Sequence, residues 1–192
     1  KLSYKNKSNF ILSLSPQFMF GTDVKETGML DFLKNNEGRI IDRNGKFGDL
    51  IFEQRGLSIG FEVSKLIYQI GPNDNCGIIA GIGTGYLEHR IRIRELGGNF
   101  PAIDGEYLKG YDRLSSGLML TESLYYRHFS NNRLLNFFVG FDVFQAFTQG
   151  RRSYQYDLKT AYDEKRNDFS YGLRLGWTFA IYKRAPREFY YE

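Results

Sequence analysis

The chain has 192 residues, enough for one domain with a sizeable core, and its 26 basic and 22 acidic residues are interspersed, leaving a net charge of only +4. That balance argues only weakly for an anionic partner, and nucleic acid is not expected as one because no basic helix or aromatic RNA-binding pattern accompanies it. A single cysteine, Cys76, excludes an internal disulfide and a thiolate metal cluster, and it reads as a buried or turn thiol.

With 17% aromatics and 21 glycines, the composition suggests β-structure, and period-two alternation bears this out along the chain. The chain opens at Lys1 without methionine or an apolar targeting region, so either a leader has been removed or residues precede it. In "NFILSLSPQFMF" one parity carries Phe10, Leu12, Leu14, Phe18 and Phe20, and the other Ser13, Ser15 and Gln17. The polar stretch 22–46 follows; within it "MLDFLKNN" suggests one short helix, and Asn44-Gly45 suits the type I′ turn of a hairpin over 37–54. "RGLSIGFEVSKLIYQI" sets Leu57, Ile59, Phe61 and Val63 against Gly56, Ser58, Gly60, Glu62 and Ser64.

The third strand begins at "CGIIAGIGTGY", where glycine fills one face, and continues into "LEHRIRIREL". "GIGTG" resembles a dinucleotide fingerprint only superficially, since no helix follows it. On the other face Ile78, Ala80, Ile82 and Tyr86 give way to Glu88, Arg90, Arg92 and Arg94. Three arginines pointing outward above an apolar band suit lipid-headgroup binding, with lipopolysaccharide phosphate as the ligand; the competing assignment pairs them with acids such as Glu53 or Glu88. "SSGLMLTESLYYRHF", "LLNFFVGFDVFQAFTQG" and "DFSYGLRLGWTFAIYKR" supply the fourth, fifth and sixth strands. Connections alternate between short (71–75, 130–133) and long and polar (22–46, 96–113, 150–166).

Apolar faces of about 5 to 7 alternate residues match the length a tilted strand needs to cross a bilayer. Together with the loop pattern they predict an all-β fold: a small, closed, antiparallel transmembrane β-barrel with long extracellular loops and short periplasmic turns. Six strands are readable, and eight result if a hairpin is missing upstream. The barrel forms a single domain over 1–192, and its location is the outer membrane of a Gram-negative bacterium, with both termini periplasmic.

The inward faces carry Glu62, Asp142 and Arg174, with Arg127 near one strand end, a lumen charge network that must be paired. A salt-bridged plug is one consequence and an ion or proton path the other. Glu122 lies on the apolar parity between Leu120 and Leu124, so it either turns inward at a bulge or meets a partner protein. The tail 183–192 reads as a periplasmic segment in which Arg187, Phe189, Tyr190 and Tyr191 serve either as an interfacial anchor or as a docking peptide. His89 and His128 fall at opposite ends of the strands, and a catalytic set would need His89, Glu88 and an unidentified loop serine. No enzyme, cofactor or metal site is expected.

The stretches "LKGYDRLSSG", "QGRRSYQYD" and "GLRLGWTFAIYKRAPREFYYE" resemble small outer-membrane β-barrel proteins of the Bacteroidota over roughly the second half of the chain. The resemblance implies an accessory subunit of a multiprotein envelope machine, such as type IX protein secretion or outer-membrane protein assembly. Its partners would be outer-membrane lipid, lipopolysaccharide and other envelope proteins. The competing classes are an outer-membrane lipid-modifying barrel enzyme and a soluble lipocalin-like ligand binder.

Overall fold

A computed structural model describes residues 1–96, 100–131 and 135–181. The six alternating stretches are strands, and four short ones join them. In chain order these are β1 (Leu2–Lys5), β2 (Phe10–Gly21), β3 (Ile40–Ile41), β4 (Phe47–Gln69), β5 (Gly77–Leu96), β6 (Ser115–Phe129), β7 (Asn136–Gly150), β8 (Arg152–Gln155), β9 (Thr160–Tyr162) and β10 (Lys165–Trp177).

The main sheet runs β1-β2-β4-β5-β6-β7-β10, with β3 paired to β4, while β8 and β9 form a separate hairpin. Every neighbour along the path is antiparallel, and each pair is also consecutive along that path in the chain. A hairpin does turn at Asn44-Gly45, but through a five-residue connection between β3 and β4 and not the expected type I′ turn, since only Gly45 of the pair has a positive φ. Asp42 caps it with its carboxylate on the Asn44 and Lys46 amides, and Gly45 takes φ 77°, a left-handed conformation that disfavours a side chain. The expected helix at "MLDFLKNN" is a 3-10 segment over Thr27–Leu33.

The sheet is strongly curled. Arg174 on β10 reaches Glu62 on β4, four ladder steps away, at 3.1 Å. In a flat sheet those backbones would lie about 19 Å apart. Alternation then separates a concave face from a convex one. The concave face holds Ser13, Ser58, Glu62, Ser64, Ile79, Met119, Thr121, Ser123, Tyr125 and Asp142, all buried, whereas the large apolar residues of the opposite parity are exposed.

Glycine is needed where the curl presses strands together. A Cβ on Gly140 would lie 2.2 Å from the Leu124 carbonyl oxygen and 2.4 Å from the Tyr125 Cα, and one on Gly85 would lie 2.3 Å from the Ile59 carbonyl oxygen.

The connections at the Gly21–Phe47 end of the sheet form a cap over it. Met29, Leu30, Ile40, Phe100, Ile103 and Tyr111 from two connections pack on Ile93 of β5 as one apolar cluster. Arg113 staples this cap: its guanidinium binds Glu26, Gln155 and Asp157, residues 87, 42 and 44 positions away.

The expected closed barrel is not what the ladder makes. Among the described residues β1 and β10 are not paired, so the sheet is open. The physical reason is the strand count and the shortness of β1. Six antiparallel steps leave β1 and β10 running in the same direction, and β1 covers only Ile11–Leu14 of β2, leaving the rest of β2 as an edge. Openness also removes the argument for lipid as solvent, because a free sheet edge in hydrocarbon would leave a row of backbone groups without hydrogen bonds. The expected integral outer-membrane location, with its periplasmic termini, is therefore corrected. No helix among the described residues is long and apolar enough to cross a membrane.

Candidate functional site

Two features stand out on the curled sheet: a buried charge cluster on the concave face and an apolar belt on the convex one. The cluster is built by two central strands and one edge strand. Glu62 of β4, Asp142 of β7 and Arg174 of β10 all take inward parity. Arg174 donates from Nε to Asp142 at 2.7 Å and from Nη2 to Glu62 at 3.1 Å. Lys1 joins from the chain start, its Nζ donating 2.8 Å to Glu62 Oε1. The faces of the Tyr125 ring meet both cations, Arg174 at 5.1 Å and Lys1 at 5.6 Å from the centroid.

Electrostatics follow from burial and pairing. Burial pushes the Glu62 carboxyl up, but hydrogen bonds and charge from Lys1 and Arg174 outweigh it and hold the group below the usual carboxylate range. Asp142 goes the other way: burial dominates, and Arg174 only partly offsets it, so its carboxyl is raised. Burial, then the nearby Arg174 charge, lowers Lys1.

The space beside the cluster, lined by Gln17, Thr121, Phe144 and Arg174, is a cavity of about 10 Å³, the size of a single water. That cavity is too small for a ligand of lipocalin type, and the open sheet does not make the closed barrel such a fold requires. Arg127 stands apart, its Nε donating to the Asn75 carbonyl at 3.3 Å near the 71–76 turn.

His89 and His128 are at opposite ends of the sheet. His89 Nε2 lies 3.1 Å from Asp168 Oδ2, and Thr148 donates its hydroxyl to the same oxygen. The hydrogen bond to His89 is the first cause holding Asp168 below the usual range. Glu88 has the opposite parity and is exposed, so it does not join His89. The Thr148 hydroxyl faces the acid and not the imidazole, which is the wrong placement for an activated nucleophile. His128 stacks on Phe137 with centroids 5.0 Å apart. Among the described residues no group of three His, Cys, Asp or Glu is placed to hold a metal. Cys76 is buried, with Sγ 3.1 Å from the Phe129 carbonyl.

Arg90, Arg92 and Arg94 point outward from β5 and are exposed. Arg94 pairs with Glu53 at 3.4 Å, and Arg55 shares the same carboxylate at 2.6 Å. Glu53 is thereby buried despite its outward parity. Nothing in this arrangement is built for lipid phosphate, and with the membrane location corrected the expected lipid and lipopolysaccharide partners fall as well. Glu122 remains on the convex face: β6 pairs with both neighbours without a register shift there. Arg187, Phe189, Tyr190 and Tyr191 lie outside the described residues.

The convex belt spans every long strand of the main sheet. It runs through Phe18 of β2, Ile59 of β4, Ile82 of β5, Leu118 of β6, Phe141 of β7 and Leu173 of β10, with relative exposures between 52% and 79%. At the upper end of β2, where its edge is unpaired, the belt borders an open cavity of about 550 Å³ lined by Phe18, Met19, Arg55, Glu88, His89 and Arg90.

No family model, no curated protein and no solved structure matches the chain. The resemblance to outer-membrane barrels of the Bacteroidota, and the secretion or assembly role it implied, therefore find no support, and the open sheet contradicts them directly.

Proposed function

We propose that the chain is a non-catalytic binding module whose working surface is the apolar convex face of the curled sheet, and that its partner is another polypeptide with an apolar surface. One observation carries this: every long strand of the main sheet contributes exposed large apolar side chains to the same face. Isolated exposed leucines are ordinary, but a contiguous belt of this extent marks an interaction surface. Covering one such side chain fully contributes about 1.5–3 kcal/mol. The cavity beside the buried charge cluster has room for no more than a water, which supports binding by the outer face in preference to a ligand held at that cluster.

The test uses single cysteines in a Cys76→Ser background, at Phe141 and Leu175 on the belt and at Tyr107 in an exposed loop. In the purified protein all three should react quickly with a water-soluble maleimide. In the native cell fraction the two belt positions should slow by at least about tenfold relative to Tyr107, as expected for buried interface positions. Equal rates in the native fraction would refute a covered face. A photo-crosslinker at Phe141 should yield a protein-sized adduct, and adducts with small molecules alone would refute a polypeptide partner.

A further inference from the structure

We propose that the gap between β10 and β1 is an acceptor for one extended polypeptide strand, running antiparallel to both and supplied by a separate partner chain. The inference concerns the sheet edge and stands independently of the role of the convex face.

Four observations converge on it. The first is direction. Because all six steps of the main sheet are antiparallel, β1 and β10 run the same way. One inserted strand is then antiparallel to both neighbours, the more favourable pairing. A sheet with edges running in opposite directions would not accept a single strand in this manner.

The second is proximity. Lys1, which leads into β1, and Arg174 of β10 hold the two oxygens of the same Glu62 carboxylate at 2.8 and 3.1 Å. The two edges therefore face each other within side-chain reach, a separation suited to a strand and not to a whole domain.

The third is missing cover on the concave side. Ser13, Ser64 and Ser123 are buried there, yet Ser170 and Gly172 of β10, with the same inward parity, are exposed. A Cβ on Gly172 would meet nothing within 4 Å, whereas one on Gly81 would meet Ser64 and Ser123 side chains at 2.6 and 2.7 Å. The curl that packs the middle of the sheet is unfilled beside β10.

The fourth is an unmet hydrogen bond. Arg174 Nη1 is buried and has no partner among the described residues. A buried guanidinium donor of this kind calls for an acceptor, which an inward side chain of a neighbouring strand would supply.

These features also set the chemistry of the occupant. Its outward residues are apolar, continuing Leu173 and Leu175 on one side and Leu2 and Tyr4 on the other, all of which are exposed. Its inward residues are small and polar, with an amide oxygen at the level of Arg174. Main-chain hydrogen bonds to the free edge of β10 supply the affinity and the alternation supplies the selectivity, as in strand addition generally.

The probe is a synthetic peptide as long as β10, alternating valine and serine, with asparagine at its centre and lysines at both ends for solubility. The control has the same composition except that alternate serines are replaced by proline, which cannot donate to a ladder. Hydrogen exchange of the full-length protein is followed by mass spectrometry. Without peptide, the amides of β10 should exchange faster than those of central β6. Saturating alternating peptide should slow the β10 amides by at least about tenfold, while β6 and the proline control stay unchanged. Two results overturn the proposal: β10 already as protected as β6 in the free protein, or an alternating peptide no more effective than its proline control. A Gly172→Trp variant, whose Cβ meets nothing within 4 Å and whose ring projects into the open concave space, should retain the fold and abolish the peptide effect.

Discussion

Replacing Arg174 by methionine tests the buried charge cluster most directly. Methionine keeps much of the aliphatic stem but deletes the cation that bridges Glu62 and Asp142. Glu62 retains Lys1 at 2.8 Å, whereas the Asp142 carboxylate loses its ion-pair partner. The three side chains are 4–10% exposed, so solvent does little to replace the lost partner. Removing one member of a buried pair typically costs about 3–5 kcal/mol, and the low end, about 3 kcal/mol, applies here because Lys1 remains.

The pH dependence carries a definite sign. Glu62 is held below the usual carboxylate range, so the stability it contributes is present at neutral pH and is lost as pH falls through its folded value. Asp142 is raised, so it favours the folded state at low pH, and that contribution is lost as pH rises through its folded value. Without Arg174 both carboxyls move up. The deficit of the variant is therefore largest at neutral pH and shrinks as pH falls and both groups take up protons. Urea denaturation at pH 7 and pH 4 measures this. A second change, Asp142→Asn, should recover most of the loss at pH 7. If Arg174→Met costs less than about 0.5 kcal/mol at pH 7, the size of a surface substitution, the bridging role of Arg174 is refuted.

Further outcomes follow from packing and pairing elsewhere. Gly140→Ala should destabilise by about 1–3 kcal/mol, since its Cβ collides with β6 backbone, while Gly172→Ala should be neutral within about 0.5 kcal/mol; thermal unfolding of the pair decides. Arg113→Ala should release the cap, leaving Asp157 without its cation and Glu26 with only Arg166 at 3.6 Å, and limited proteolysis should then cut within 150–164 before it cuts the main sheet. Asp168→Asn should cost about 0.5–1 kcal/mol at neutral pH, a value reduced by the partial exposure of the carboxylate, and the cost should shrink as pH falls through the acid range. The sign follows because a depressed carboxyl contributes only above its folded value.

The six long strands were legible because period-two alternation is a local property, visible without knowing any neighbour. The same holds for the inward parity of Glu62, Asp142 and Arg174, and for the Asn44-Gly45 turn, whose backbone demand falls on a single residue. The ion pairs of Arg113 were not legible, since their partners lie 42 to 87 positions away and are brought together by three loops. Nor were β8 and β9, because a polar hairpin of this length carries no alternation to distinguish it from a loop. Lys1 in the charge cluster also escaped notice: as a first residue it has no strand pattern around it.

The chain's sequence by itself determined strand identity, the division of each strand into a small polar and an apolar face, and the positions of the connections. Only the tertiary structure decided that the ladder stays open, that Arg174 meets Glu62 across four ladder steps, and that Glu53 and not a lipid phosphate engages Arg94. The physical reason is that alternation specifies which side of a sheet a residue takes, whereas closure depends on how the first and last strands meet. That meeting is set by strand number, the reach of β1 and the curl of the whole sheet, none of which is a property of any one strand.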